Sequence, residues 1–138
     1  MKEKQKEEEY NYLRDSLLEI VEKDMNRAWN NSLAEINASF EYLQSDKAVE
    51  ENNTPQFIEK INKGVMYWLE MIREEQLKNS KTAQAQNLPD GKKLELANAL
   101  DKKVIQISDE RWPKYQELCE KRSELLNKLS KKLYGSNQ

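Results

Sequence analysis

The sequence contains no histidine and only one cysteine, Cys119. Without histidine the chain lacks the commonest general acid–base catalyst, the usual base of Ser-His and Cys-His nucleophile pairs, and the main side-chain ligand of zinc and di-iron sites. A single cysteine can form neither an intramolecular disulfide nor a thiolate metal cluster. A glycine-rich phosphate loop is also missing. We therefore predict a non-enzymatic protein that holds no metal and no other cofactor.

Long apolar runs are missing as well. No stretch approaches the roughly 18 consecutive apolar residues that a membrane-spanning helix needs, and residues 1–7 lack the apolar segment of a signal peptide. These absences predict a cytoplasmic protein, of a bacterium or of a host cell, without a membrane partner. Lysine outnumbers arginine 18 to 5, as in proteins encoded by A/T-rich DNA, which points to low-GC bacteria and their phages.

Glycine and proline occur three times each, so few residues are available for sharp turns. Charged residues make up 35 % of the chain, above the usual level of about 25 %, yet the apolar residues recur regularly. Between residues 13 and 43 an apolar stripe advances eight steps in 30 residues, or 3.75 residues per step, which is typical of an amphipathic helix. Its members are Leu13, Leu17, Val21, Met25, Trp29, Leu33, Ile36, Phe40 and Leu43. The sequence therefore predicts an all-α protein.

The predicted architecture is an elongated antiparallel bundle of three long helical regions. The first region extends from about Glu3 to Leu43. The second begins at Pro55, because Thr54 is a favourable N-cap and proline is favourable at the first helical position. The third ends before Gly135, a natural residue to follow a helix C-terminus.

We expect these regions to form a single domain over residues 1–138. Turn-forming residues place a loop at 80–91. The segments 1–5 and 135–138 are expected to fray. Because the sequence has few turn-forming residues, almost all residues outside this loop and the two ends are predicted to be helical.

Two sites are candidates for breaks, which would divide the bundle into four or five helices. Near residue 31, Ser32 and Glu35 have the spacing of a capping box, although the apolar stripe keeps its phase there. Near residue 111, Pro113 removes a backbone donor and clashes with the preceding turn, so the helix is expected to kink or restart.

The second helical region is expected to be the buried centre of the bundle. Its segment Val65–Ile72 is apolar almost all round, which is typical of a buried helix. Gly64 costs about 1 kcal/mol in a helix relative to alanine, and a close approach of two helices would compensate for that cost. Four aromatic residues are assigned to the core by position: Trp29, Phe40, Tyr67 and Trp68.

Charge is unevenly distributed along the chain. Residues 1–54 carry a net charge of −6, residues 55–90 are neutral and residues 91–138 carry +4. The first and last helices therefore either attract each other within one molecule, or attract a second copy or an acidic partner. Neighbouring glutamates such as Glu74 and Glu75 are interpreted as solvated helix faces rather than metal ligands.

The best candidate for a partner-binding site lies near Pro113. An aromatic–arginine cluster at an irregular point of a helix resembles an interface hot spot, and the alternative is that the indole of Trp112 fills the gap opened by a kink. Basic residues continue towards the C-terminus on what is otherwise read as a solvated face. The candidate partner-binding residues are Arg111, Trp112, Tyr115, Lys121, Arg122 and Lys128.

From these features we predict a non-enzymatic protein that binds another protein through long helix faces. It would act as an inhibitor, an adaptor or an immunity-type protein. One version of this hypothesis is a protein encoded by a phage or mobile element. A homodimer is a further expectation. The net charge of −2 argues against nucleic-acid binding, so the alternative function, nucleic-acid association through the basic C-terminal helix, ranks second.

Overall fold

A computed structural model describes residues 2–135, and Met1 and residues 136–138 lie outside the described residues. The described residues form four α-helices and a final π-helical turn, and the three longest helices pack together. The elements are α1 (Lys2–Leu43), α2 (Asp46–Glu51), α3 (Pro55–Gln84), α4 (Asp90–Ser130) and the π-helical turn Lys131–Gly135. No strand occurs within residues 2–135. The prediction of an all-α bundle with three long helical regions is confirmed.

Helix α1 passes through the predicted break near residue 31 without interruption. Ser32 is fully buried, so this residue lies on the core face of a continuous helix and does not cap a new one. Because the apolar stripe keeps its phase on both sides of Ser32, one uninterrupted helix presents it to the neighbouring helices. Six of its nine members are buried, and Leu13, Leu17 and Leu33 are half-buried.

Helix α4 is also continuous, and the restart expected near residue 111 is wrong. Pro113 lies inside this 41-residue helix. A proline at that position leaves the carbonyl of Asp109 without its helical donor. Both Asp109 and Pro113 are exposed, so water can reach that carbonyl and the helix can continue.

The connections between helices are shorter than the sequence suggests. Helix α3 begins at Pro55 as predicted, and the Thr54 hydroxyl accepts a hydrogen bond of 3.2 Å from the amide of Phe57. The short helix α2 was not predicted. Helix α3 continues to Gln84 because Ala83 is fully buried, so the last connection covers residues 85–89 rather than 80–91.

The sequence analysis predicts frayed ends at residues 1–5 and 135–138. Met1 and residues 136–138 lie outside the described part of the chain. Residues 2–5 belong to α1, and Gly135 belongs to the π-helical turn.

The chain divides into two compact units, and each contains a part of α1, α3 and α4. Unit 1 comprises Met1–Ala28 and Glu70–Glu110, and unit 2 comprises Trp29–Leu69 and Arg111–Gln138. The core of unit 1 contains buried residues of α1, α3 and α4: Tyr10, Val21, Met25, Ala83, Leu96, Leu100 and Val104. The short helix α2 belongs to unit 2, where Ala48 is fully buried.

In unit 2, α3 runs antiparallel to both α1 and α4. Lys63 pairs with Glu35 of α1 at 3.7 Å, and Asn31 Nδ2 donates to the Tyr67 hydroxyl at 3.5 Å, so residue numbers fall along α3 as they rise along α1. On the other side, the Tyr115 hydroxyl donates to the Val65 carbonyl at 3.2 Å and Arg122 Nη1 donates to Asn62 Oδ1 at 2.8 Å, so residue numbers fall along α3 as they rise along α4.

The centre of unit 2 is a close approach of α3 to α1 at Gly64. A Cβ atom added to Gly64 would lie 2.5 Å from the Ile36 amide nitrogen and 2.8 Å from the Glu35 carbonyl carbon. One turn away, Trp68 packs edge-on against Trp29 with ring centroids 4.9 Å apart. Trp29, Phe40 and Trp68 are buried as predicted. The glycine therefore allows the backbone contact that seats both indoles.

We expect Gly64→Ala to destabilise the protein although alanine is the better helix former. The alanine gains about 1 kcal/mol of helix propensity, but its Cβ must displace backbone atoms of α1, and overpacking typically costs about 1–3 kcal/mol. Thermal denaturation should show a lower Tm. Gly91→Ala is the matched control, because no atom lies within 4 Å of the added Cβ, and its Tm should stay level or rise. A Tm of the Gly64 variant at or above that of the wild type would contradict the close approach.

Candidate interaction surface and buried carboxyl pair

Trp112 lies on the surface of unit 2, immediately before Pro113. Its side chain is 47 % exposed, and its indole stacks on the ring of Tyr115 with centroids 5.5 Å apart and an angle of 26° between the planes. The indole therefore does not fill a gap in the core. It is held flat against a neighbouring ring, with the other face turned to solvent.

Tyr115 fixes this aromatic pair to α3. Its side chain is buried, and its hydroxyl donates to the Val65 carbonyl. Burial, followed by the neighbouring Cys119 thiol, raises the pKa of Tyr115 to about 12. The phenol thus stays protonated and keeps its donor at any physiological pH, so Trp112 stacks on an anchored platform.

The two predicted arginines are half-buried and bind groups of their own unit. The Arg111 guanidinium lies 5.8 Å from the centre of the Trp29 ring. An Arg122 Nη1 atom donates to Asn62 Oδ1 at 2.8 Å. Both side chains therefore connect α4 to the neighbouring helices, and neither presents a fully solvated charge to a partner.

The predicted lysines lie on the opposite flank of α4, beside α1. Lys121 Nζ lies 5.1 Å from the centre of the Phe40 ring. Lys128 lines a groove of about 190 Å³ together with Leu43 and Gln44 at the end of α1. The structure thus brings Trp112, Tyr115 and Arg122 together on the α3 side of α4, and it separates them from Lys121 and Lys128.

Within unit 2, helix α3 exposes three large apolar side chains to which the sequence analysis assigned no binding role. Ile58 is 52 %, Met66 49 % and Leu69 44 % exposed. Met66 and Leu69 belong to the segment that was expected to be buried all round, and that expectation is wrong for these two residues. At about 100° per residue, both lie more than about 130° from Gly64 around the helix, so the glycine contact with α1 turns them to solvent.

In the antiparallel register of α3 and α4, Leu69 and Trp112 lie at the same level along the two helices. Val65 contacts Tyr115. One turn from this contact towards the C-terminus of α3 lies Leu69, and one turn towards the N-terminus of α4 lies Trp112. Because the helices are antiparallel, these two steps lead to the same level. We call Ile58, Met66, Leu69 and Trp112 the α3–α4 apolar patch. On α4 it is bordered by the exposed, uncharged Gln116 and Ser123, and exposed Glu120 lies one turn after Gln116.

Unit 1 contains a second feature, a pair of carboxyl groups. Glu75 is only 6 % exposed and hydrogen-bonds to Asp24 of α1. Lys78 Nζ donates to Asp24 Oδ2 at 2.6 Å. Glu75 was expected to be solvated, and this is wrong, whereas its neighbour Glu74 is exposed. The available signal was the helical period, since Glu75 follows the fully buried Trp68 by seven residues and lies on the same face of α3.

Burial and the neighbouring Asp24 raise the pKa of Glu75 to about 7. Burial also acts to raise the pKa of Asp24, but hydrogen bonds from Lys78 and Glu75, with the nearby charges of Lys78 and Arg27, hold it below its ordinary value. The hydrogen bond from Asp24, in turn, raises the pKa of Lys78. Asp24 is therefore the ionised partner of Lys78, and burial beside Asp24 favours the protonated form of Glu75 as the pH rises from its ordinary pKa towards about 7.

Neither a metal site nor a membrane span is found in the part of the chain that the structure describes. No group of three or more Cys, Asp or Glu side chains there is placed to hold a metal ion. No helix within residues 2–135 is both long and apolar enough to cross a bilayer. Comparison with known proteins finds no matching family, no matching curated protein and no matching solved structure.

We expect Glu75→Gln to remove a fall in stability with rising pH. The pKa of Glu75 is near 4.5 when unperturbed and about 7 in the folded chain, so between these values the unfolded state releases a proton that the folded state keeps. Stability from this group is therefore lost as pH rises through that window. Urea unfolding at a series of pH values measures this. Relative to the wild type, the free energy of unfolding of the variant should rise between about pH 4.5 and pH 8, by on the order of 1–3 kcal/mol.

The exposed Glu74→Gln is the control for this prediction. It removes one carboxylate from the same turn of α3 without touching the buried pair, so its stability should follow the wild type at each pH. Parallel pH profiles for wild type and Glu75→Gln would show that Glu75 is not held protonated.

Proposed function

We propose that this protein is a non-enzymatic interaction protein that binds another protein through the α3–α4 apolar patch. The observation that carries the proposal is the joint exposure of Ile58, Met66, Leu69 and Trp112 in a unit that buries its two other tryptophans. Single exposed apolar residues are ordinary, but a cluster of them marks an interaction site. Tryptophan and methionine are also enriched at the centres of protein interfaces, where charged residues are depleted.

The chemistry of the patch indicates the kind of partner surface that fits it. Asn62, Gln116 and Ser123 border the apolar side chains, and exposed Lys63 and Glu120 lie farther out, so the partner should present large apolar side chains at its centre and polar groups around them. The surface is formed by two antiparallel helices, which suits an amphipathic helix lying along them. Phosphate-rich partners would need a basic surface instead.

The aromatic anchor is suited to binding because it is already ordered. Trp112 stacks on Tyr115, and Tyr115 is tied to the Val65 carbonyl. A side chain held in its bound orientation loses little conformational entropy on association. Binding of this kind suits an inhibitor, an adaptor or an immunity-type protein. One version of this hypothesis is a protein encoded by a phage or mobile element. We propose that the partner is cytoplasmic.

Nucleic-acid association is the second candidate function. It rests on the segment 111–135, whose charged residues give a net charge of +4. Exposed Glu117, Glu120 and Glu124 interrupt its lysines, which weakens the attraction for phosphates. A titration against DNA and RNA at about 10 mM salt, where charge attraction is least screened, decides this alternative. Absence of binding there rules it out.

The partner-binding proposal predicts position-dependent photo-cross-linking. A photo-reactive phenylalanine analogue at position 112 should capture a distinct second protein in cells that express the chain. The same analogue at position 12, where Tyr12 is more exposed than Trp112, is the matched control and should not capture that protein. Identical products from both positions, or none from position 112, would contradict the proposal.

Once the cross-linked protein is purified, Trp112→Ala should weaken its affinity by at least about tenfold, as expected for a tryptophan hot spot. The folded state should lose only about 1 kcal/mol, because the substitution removes one exposed stacking contact. Calorimetric titration measures the first effect and thermal denaturation the second. Tyr12→Ala should leave the affinity unchanged.

A further inference from the structure

An exposed acidic row follows the part of α1 that lies in unit 1. Glu8, Asp15 and Glu22 recur every seven residues, and all three are exposed. Tyr12, which is 78 % exposed, lies between the first two on the same face. Asp15 pairs with its neighbour Arg14 at 3.1 Å, but its side chain remains 67 % exposed. This face points away from the buried Val21 side of the helix.

A lysine row of the same period lies in unit 2. Lys114, Lys121 and Lys128 also recur every seven residues and are exposed. The contact of Lys121 with Phe40 and the groove shared by Lys128 and Gln44 place the row along the α1 side of α4. Lys114 pairs with the exposed Glu117 at 3.4 Å, and such a surface pair is weak enough to exchange partners.

Uncharged amides border the lysine row. Asn30 and Asn37 of α1 and Gln44, just after its end, are exposed and also recur every seven residues. In unit 2, α1 and α4 run parallel, as the contacts of Trp29 with Arg111 and of Phe40 with Lys121 show. Each amide therefore lies at about the level of one lysine. An approaching acidic helix would meet these lysines and hydrogen-bonding amides, with the exposed carboxylates of Glu41, Glu117 and Glu124 among them, so the contact is weak.

The two rows match in spacing and are opposite in charge. Seven helical residues span about 10.5 Å, so both rows present one charge at each such interval. Phosphates of a DNA strand repeat every 3.4 Å or so along the axis, which does not match this interval. A helix with an acidic residue at every seventh position does, as in the charged flanks of coiled coils. The chain itself carries such a helix.

We propose that two copies of this protein associate by laying the acidic row of one copy (Glu8, Asp15, Glu22) along the lysine row of the other (Lys114, Lys121, Lys128). Tyr12 lies within the contact, where its ring can meet a lysine ammonium group. Exposed ion pairs are individually weak and are screened by salt, so the association is weak and salt-dependent. It uses neither Trp112 nor the exposed face of α3, so it is independent of the proposed partner binding.

Charge reversal tests this proposal. One variant carries Glu8→Lys, Asp15→Lys and Glu22→Lys, and a second carries Lys114→Glu, Lys121→Glu and Lys128→Glu. Sedimentation velocity at about 10 mM salt, where the Debye length is about 30 Å, should show the wild-type mass rising with protein concentration. At about 1 M salt, where that length is about 3 Å, the wild type should sediment as a monomer. Each variant alone should associate at least about tenfold more weakly, because like charges face each other.

Mixing the two variants provides the decisive observation. Each then offers the other a complementary row, so the equimolar mixture should regain association at low salt, which also demonstrates that both are folded. Lys47→Glu, Lys81→Glu and Lys102→Glu together make the control, because these exposed lysines lie outside the row and produce the same change in net charge. The control should associate as the wild type does.

Three results would overturn the proposal. The first is a wild type that stays monomeric at every concentration at low salt. The second is association that survives either reversal. The third is a mixture that remains monomeric although circular dichroism shows both variants to be helical. If the triple variants lose helicity, the single changes Asp15→Lys and Lys121→Glu replace them, each with the same expected loss alone and recovery on mixing.

Discussion

The close approach of α3 to α1 at Gly64 sets the rotation of α3, and much of unit 2 follows from that rotation. With the glycine facing the backbone of Ile36, successive residues of α3 turn by about 100° each. Val65 and Trp68 then face the core, while Met66 lies almost opposite the glycine. The exposed apolar face of α3 is thus a geometric consequence of a backbone contact on the other side of the same helix.

The same rotation determines how α4 is held. It presents the Val65 carbonyl to the Tyr115 hydroxyl and the Asn62 side chain to Arg122. These two contacts place one flank of α4 along α3, and they leave Trp112 on the solvent side of that seam. The lysines occupy the other flank. A helix with one charge row and one aromatic anchor on separate flanks can meet two different surfaces.

The sequence predicts the helices well because their signals are local. The apolar period of α1 and the Thr54-Pro55 start of α3 depend only on neighbouring residues, and both are confirmed. Burial of Glu75 was missed because composition, not phase, was used to judge it: a glutamate beside another glutamate was read as solvated. Extending the phase from Trp68 would have placed Glu75 on the core face.

The division of the candidate site between two flanks of α4 could not be predicted in the same way. Trp112 and Lys121 are both suited to a partner surface by residue type, and their separation appears only when the neighbours of α4 are known. Pro113 was a further source of error, because a proline in the interior of a helix is tolerated where the freed carbonyl remains exposed to water. That exposure is a property of the packed unit and not of the local sequence.

The central claim, that the α3–α4 apolar patch is covered by another protein, is tested most directly by hydroxyl-radical footprinting of the isolated protein and of the protein inside its expressing cells. Met66 and Trp112 are exposed in unit 2, whereas Met25 is buried in unit 1 and Tyr12 is exposed there. The account predicts that Met66 and Trp112 are modified readily in the isolated protein and are protected in cells, while Tyr12 keeps at least part of its reactivity and Met25 stays protected in both. Equal modification of Met66 and Trp112 in the two settings would contradict it.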